Sequence, residues 1–308
     1  MLFRSEIMLR RRRPDGSPAK VPGYTKLVPI ILRNRTESAI YMDQIIYLDK
    51  TMEFIHEWND DRPEGTRPLT VMQILLAGIA RSIAQRPKMN RFVSNDRHYQ
   101  RNNISVSFVT KQTLSDEGRE TNVIMPFKPE DTLLDVVKRF NDYVGEAKSD
   151  KGNKTTEDVD FFESLPVPVL RFFVSFMNFL DRHNLAPGAY IRMFPFYATV
   201  FLTNVGSLKL DAPYHHNFEM GNTGIFIALG KVFTQREFSP EGEMVERKAV
   251  TVRYTFDDRI VDGIYSGRTI KLLKSYVENP EKLTVPAAIA PKHIEELNLS
   301  EKGWKLWV

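Results

Sequence analysis

The chain has 308 residues, 42% of them hydrophobic and 27% charged, a composition that reads as soluble and globular, with enough apolar material for one large domain or two modest ones. It contains no cysteine, which excludes disulfides, thiolate metal sites and a cysteine nucleophile. The formal net charge of +4 is uneven: residues 1–35 hold nine Lys/Arg against Glu6 and Asp15, a net +7, so the rest of the chain carries −3. A nucleic-acid partner for the run Arg10 to Arg13 is a weak reading, because no basic stripe interleaved with aromatics follows it. The expectation is a solvated or packed terminal arm with no nucleic acid bound. No apolar run approaches ~20 residues and the N-terminus lacks a signal-type apolar core, so no transmembrane segment and a cytoplasmic location are expected.

Arg10 to Pro29 contains Pro14, Gly16, Pro18, Pro22, Gly23 and Pro29 and reads as an extended arm with turns. Leu32 to Ser38 suggests a short helix or turn, Ile40 to Leu48 a strand, and Lys50 to Trp58 a helix. Thr70 with Gln73 three residues on is a capping-box start, and Val71, Ile74, Leu75, Ile79 and Ile83 make one helical face that Pro87 ends. Strands are expected over Ile104–Thr110 and Thr121–Phe127, with a polar connection between them. A helix over Glu130–Ala147 and a charged loop over Lys148–Asp160 follow. Phe161 to Asn184 has a broad apolar face made by Phe172, Phe173, Phe176, Met177, Phe179 and Leu180. It reads as a buried or subunit-contacting helix, ahead of a lid over an acyl tunnel or an interfacial membrane helix. Strands then cover Tyr197–Gly206 and Gly224–Thr234, with a turn at Tyr214-His215-His216-Asn217-Phe218 between them.

The last strand, Lys248 to Thr255, enters Phe256-Asp257-Asp258-Arg259-Ile260-Val261-Asp262-Gly263 and leaves as a helix that Asn279-Pro280 should end. A turn of this kind presents side chains to a cleft. There is no internal repeat, Gly-rich phosphate loop, metal-ligand helix or nucleophile elbow.

This stretch resembles the end of the acyltransferase core of 2-oxoacid dehydrogenase complexes and of chloramphenicol acetyltransferase. That family reads Asp-His-Arg-x-x-Asp-Gly before a helix ending Glu-Asn-Pro; here Asp257, Arg259, Asp262, Gly263, Glu278, Asn279 and Pro280 match. Asp258 stands where the family has its general-base histidine. Upstream, Leu202-Thr203-Asn204-Val205-Gly206 is similar to the family's Ile-Ser-Asn-Leu-Gly, with Asn204 and Gly206 matching and Thr203 in place of the oxyanion-binding serine. Pro87 and Asn90 match a Pro-x-x-Asn turn after a long helix, and Arg33 to Ser38 loosely resembles the first helix of the core.

The resemblance covers about residues 30–283. It implies an α/β fold of chloramphenicol acetyltransferase type, a mixed β-sheet sandwiched with helices. The division it suggests is a basic, Pro-rich arm over 1–29, the acyltransferase-like domain over 30–283 and a C-terminal tail over 284–308. It also implies homotrimers with sites at subunit interfaces, possible larger assembly, and coenzyme A or acyl-CoA as substrate. The acceptor would be a small molecule or a lipoyl-type group, with no metal and no lipoyl group on this chain. In the family, the second motif aspartate supports the turn through an ion pair and the glycine after it admits the helix, so Asp262 and Gly263 read as structural beside Arg259 and Asn204.

Acyl transfer needs a base for the attacking thiol or hydroxyl and a donor aimed at the oxyanion. Thr203 can supply the donor, and a β-branched strand residue is the alternative. Asp258 has an ordinary pKa of about 3.9, too low for a base unless a neighbour such as Asp257 raises it; pairing of Asp257 or Asp258 with Arg259 or Arg253 is the alternative. His215 and His216 have the right pKa. As adjacent turn residues they should point apart, leaving one to face the site, with His216 slightly ahead. The same residues fit a catalytically inactive homolog that keeps the trimer as an assembly or binding scaffold.

Overall fold

The structure, a computed structural model, describes residues 13–62, 66–111, 118, 120–149 and 165–305. Most of the Arg10–Arg13 run, nearly all of the Lys111–Arg119 connection and the start of the Phe161–Asn184 stretch lie outside the described residues.

The core of the architecture is a six-stranded mixed sheet with strand order β2-β9-β8-β7-β5-β6. Its strands are β2 (Ala39–Tyr47), β5 (Ile104–Lys111), β6 (Glu120–Phe127), β7 (Val200–Asn204), β8 (Ile225–Phe238) and β9 (Met244–Asp257). The fold is therefore α/β with a mixed sheet: β7 runs parallel to both β5 and β8, and every other neighbouring pair is antiparallel. Because side chains alternate across a strand, the sheet has two distinct faces. Val200, Leu202, Ile225, Ile227, Leu229, Val250, Val252, Tyr254 and Phe256 point to the main core. That core is closed by the helices α3 (Val71–Gln85), α4 (Leu133–Ala147) and α7 (Gly263–Glu278). Phe201, Phe226 and Ala228 point to the opposite face, under the 209–223 loop.

The helix starts follow the local chemistry of the sequence. Thr70 and Gln73 form the expected capping box ahead of α3, and Thr132 with Asp135 forms a second one ahead of α4. The observed β2, α2 (Asp49–Asp60), β5, β6 and α7 agree with their expected spans to within two residues. Upstream, α1 is Val28–Ile31, a turn earlier than expected, and 33–38 is a turn. The turn, one of the two conformations expected there, is held by Glu219, whose carboxylate accepts from the backbone N–H of Arg35 and from the N–H and hydroxyl of Thr36.

A second, three-stranded sheet in the order β1-β4-β3 has no counterpart in the sequence reading. It comprises β1 (Gly16–Pro18), β3 (Arg91–Ser94) and β4 (Arg97–Arg101). The β3–β4 hairpin is closed by Asn95 and Asp96, both at positive φ, the backbone a two-residue hairpin turn requires. Pairing of β1 with β4 brings the expected arm into the fold. The Arg13 guanidinium is buried there, bonded to Asp15, Ser94, Asp181 and Asn184. The arm is thus packed at Arg13, where a charge network holds it.

Downstream, α5 (Val167–Arg182) and α6 (Gly188–Met193) form a satellite core. Phe173, Met177 and Leu180 of α5 pack with Tyr190, Ile191 and Tyr197. The same helix exposes Phe172, Phe176 and Phe179, and Phe172 is 73% accessible. The broad apolar face of the sequence is thus split between packing and exposure. At the C-terminal end, α8 (Pro291–Leu297) and α9 (Glu301–Trp304) are docked, with Leu297 fully buried and Gly303 against the Asn102 backbone. No helix among the described residues is long and apolar enough to cross a membrane.

Candidate functional site

β9 and α7 are joined by the acidic turn. Its chain direction is fixed by two backbone bonds, from the Asp257 N–H to the Gly224 carbonyl and from the Asp258 N–H to the Ser38 carbonyl, both 2.9 Å. Asp257 and Arg259 are buried and bonded to each other by two side-chain bonds, Nε to Oδ1 at 2.7 Å and Nη2 to Oδ2 at 2.6 Å. The guanidinium also donates to the Arg33 carbonyl. Asp257 is therefore the aspartate that pairs with Arg259, and Asp258 is left half-buried without that partner. Burial, and then the charge of Asp257, push the Asp258 carboxyl above its ordinary value. That shift moves it toward what a base needs.

Asp262 and Gly263 sit at the start of α7. Asp262 is exposed and caps α7, accepting from the Tyr265 N–H at 2.9 Å, and it makes no ion pair among the described residues. Gly263 begins the helix without a positive φ, and an added Cβ would meet nothing within 4 Å. At the end of β7 the glycine has a steric reason: a Cβ at Gly206 would sit 2.3 Å from the Gly230 carbonyl oxygen. Asn204 supports that turn, its Oδ1 accepting from the Gly206 N–H at 3.1 Å.

Thr203 lies on the same sheet face as Phe201, in register with Ala228, which is in register with Arg253. It is half-buried, and its hydroxyl has no hydrogen-bond partner among the described residues. Above this face runs the 209–223 loop, pinned by the Arg253 guanidinium to the Ala212 carbonyl and by the Thr255 hydroxyl to the His215 carbonyl. His215 stacks on Phe226 with centroids 4.0 Å apart. His216 stacks on His215 at 5.0 Å, so the two rings lie side by side and do not point apart. The reason is local: each Nδ1–H donates to the next residue's carbonyl, at 2.7 Å for His215 and 3.0 Å for His216. Those bonds fix the tautomer and leave both Nε2 atoms as the basic nitrogens.

The structure brings Thr203 and the histidine pair over one face, because Phe201 and Phe226 are in register and Thr203 is two residues beyond Phe201. Asp258 lies elsewhere. It is two strands across and five residues along from the Thr203 row. At ~3.4 Å per residue and ~4.8 Å per strand, the separation is on the order of 15–20 Å. Thr203 and Asp258 of one protomer do not meet over one substrate bond.

Sequence reasoning missed His98, which sits in the unexpected β3–β4 hairpin. It is 4% accessible, and its Nε2 donates to the Arg259 carbonyl at 2.7 Å. It braces the acidic turn at Arg259. Burial outweighs that hydrogen bond and holds the imidazole pKa below its ordinary value. The unfolded chain protonates near pH 6.5 while the folded imidazole stays neutral, so the unfolded state binds more protons and stability falls as pH drops below about 6.5. His98→Gln is expected to flatten the fall in Tm between pH 7 and 5 relative to the parent. An unchanged slope would show that this imidazole does not contribute.

A cavity of about 590 Å³ opens beside the turn, between the 30–35 segment, the β3–β4 hairpin, α5 and Glu219–Gly221. Arg259 lines it; Thr203, His215 and His216 do not.

Residues 198–285 match the family model described as 2-oxoacid dehydrogenases acyltransferase (catalytic domain). No curated protein matches the chain at a significant level. Among solved structures, a probable dihydrolipoamide acetyltransferase from Listeria monocytogenes has 14% identity and a TM-score of 0.56, covering 86% of this chain and 94% of its own. The dihydrolipoamide acetyltransferase of Azotobacter vinelandii has 13% identity and a TM-score of 0.57, covering 86% and 93%. A chloramphenicol acetyltransferase has 10% identity and a TM-score of 0.52, covering 85% and 99%. The chain is thus similar to the acyltransferase catalytic domain of 2-oxoacid dehydrogenases in sequence over residues 198–285, and it has the fold of those cores and of chloramphenicol acetyltransferase.

Proposed function

We propose that the protein transfers an acyl group between coenzyme A and a thiol, hydroxyl or amine acceptor, using a base different from the family's histidine. The observation that carries this reading is that the matched span, 198–285, contains both halves of the site: the Thr203 strand end and the turn from Asp257 to Gly263. Thr203, whose hydroxyl is unengaged among the described residues, donates to the oxyanion that forms when the acceptor attacks the thioester carbonyl; a nearby base takes the acceptor's proton and returns it to the coenzyme A thiolate that leaves as the C–S bond breaks. The separation of Thr203 from Asp258 in one chain supports a site assembled between copies, with the turn of one protomer facing the Thr203 strand of the next. A homotrimer is the assembly proposed, and the exposed Phe172, Phe176 and Phe179 supply apolar surface for contact. Larger assembly of trimers, a lipoyl-type or small-molecule acceptor and a cytoplasmic setting complete the proposal. It involves no metal.

The test is calorimetry with coenzyme A, turnover of acetyl-CoA with a thiol acceptor, and light scattering on the same sample. The expected result is a trimer that binds coenzyme A and turns over. A second reading, a catalytically inactive trimeric scaffold, is favoured by one observation: the motif position for the base holds Asp258, while Asp257 is committed to Arg259. A trimer with neither binding nor turnover would replace the first reading with the second, and a monomer at micromolar concentration would remove both.

A further inference from the structure

The cavity beside the acidic turn carries a charge imbalance that the acyl-transfer reading leaves unused. Its lining sets four arginines against three carboxylates. Asp181 is bonded to Arg13 at 2.8 Å, and Glu219 accepts from the backbone at Arg35 and Thr36 and from the Thr36 hydroxyl. Asp96, on the hairpin turn, is exposed. The cations are less committed. Arg259 is neutralised by Asp257, but Arg35 is only 9% accessible and donates to main-chain carbonyls, to Glu219 at 2.7 Å and to Val93 at 3.4 Å. Among the described residues no carboxylate forms an ion pair with it, and burial holds its pKa below the ordinary value. Arg33 and Arg182 line the same cavity from exposed positions, and neither is in an ion pair among the described residues.

Among the described residues the Arg35 guanidinium hydrogen-bonds to carbonyl oxygens, and Asp257, Asp181 and Glu219 offset part of its charge without pairing with it, so an arriving anion would meet a guanidinium in the forked geometry arginine favours. The volume, about 590 Å³, falls in the range of small-molecule sites. We propose that this cavity binds a small polyanion bearing phosphate or carboxylate groups, with Arg35 at its base and Arg33 and Arg182 at its rim. The ligand would sit against Arg259 and so against the turn that carries Asp258. This inference does not depend on acyl transfer, and its test uses neither coenzyme A nor turnover.

Inorganic pyrophosphate and citrate are titrated into the full chain at low salt and followed by calorimetry. At least one is expected to bind with 1:1 stoichiometry per chain, more weakly as salt rises. Binding of both assigns the site to anionic charge in general, and binding of one alone assigns it to that oxyanion. Arg33→Glu with Arg182→Glu, both exposed and safe for folding, should weaken binding at least about tenfold. Arg35→Gln should abolish it where the variant folds, and the rim pair decides where it does not. No heat with either probe, or affinity unchanged in the rim variant, overturns the proposal.

Discussion

Replacing Arg13 with alanine is expected to cost about 3–5 kcal/mol of stability, among the largest effects of any single change in this chain. The side chain is 1% accessible and pairs with Asp15 at 2.9 Å and Asp181 at 2.8 Å. The same guanidinium donates to Ser94 and Asn184 and lies over the Phe92 ring at 5.2 Å. One residue thus ties β1, β3 and the C-terminal end of α5 together. Truncation leaves two buried carboxylates with weaker compensation: Arg101 lies 3.9 Å from Asp15, Asn222 donates to it at 2.6 Å, and Arg35 acts on Asp181 without pairing with it. Burial alone would raise the Asp15 carboxyl, but Arg13, with Arg101 and Asn222, together outweigh it and hold the pKa below its ordinary value. The stabilisation from Asp15 is therefore present above the unfolded carboxylate pKa of about 3.9 and is lost as pH falls below it. Chemical denaturation at pH 7 should show the full loss for Arg13→Ala. Arg13→Lys should lose less, since it keeps the charge but not the fork. Equal midpoints for parent and alanine variant would mean the network is not stabilising.

Much of the main sheet and its helices was legible because their signals are local. The Thr70–Gln73 capping box, the apolar face of α3 and the β-branched run before the acidic turn each state their conformation within a dozen residues. The small sheet was not legible for the converse reason. Arg91 to Arg101 is polar, and what buries it is long-range: Arg101 bonded to Asn222, Arg91 to Glu296, Arg13 to Asp181. A charged strand with distant partners reads in sequence like a loop. The same limit governs the site. Asp257, Asp258 and Arg259 are adjacent in sequence, but which carboxylate takes the guanidinium depends on side-chain direction. His98 reaches the turn only through the hairpin. The stacking of His215 on His216 likewise depends on main-chain acceptors within the loop and on Phe226 beneath it.

The base itself is the remaining large effect. If the protein transfers acyl groups, removing its proton acceptor should slow the reaction by roughly 10²–10⁴-fold without unfolding it. Three side chains compete. Asp258 holds the motif position and its pKa is raised by burial and by Asp257, yet its carboxylate is shorter than an imidazole and a strand pair away from Thr203 within the chain. His215 shares the face of Thr203, but its ring is packed between Phe226 and His216. His216 is the outer ring of that stack and is exposed, with Nδ1 tied to the Asn217 carbonyl and Nε2 unengaged among the described residues. A base needs that combination of a fixed tautomer and an open nitrogen, so His216→Gln is expected to give the largest loss. His215→Gln should give a smaller one by loosening the stack, and Asp258→Asn the smallest. The pH profile tests Asp258: a base at that position gives a rising limb displaced upward from the ordinary carboxylate range and lost in Asp258→Asn. Acetyl-CoA turnover for the three variants beside the parent decides among them. Full rate in both histidine variants with loss in Asp258→Asn would assign the base to the acidic turn, reached across the interface from the next protomer's Thr203.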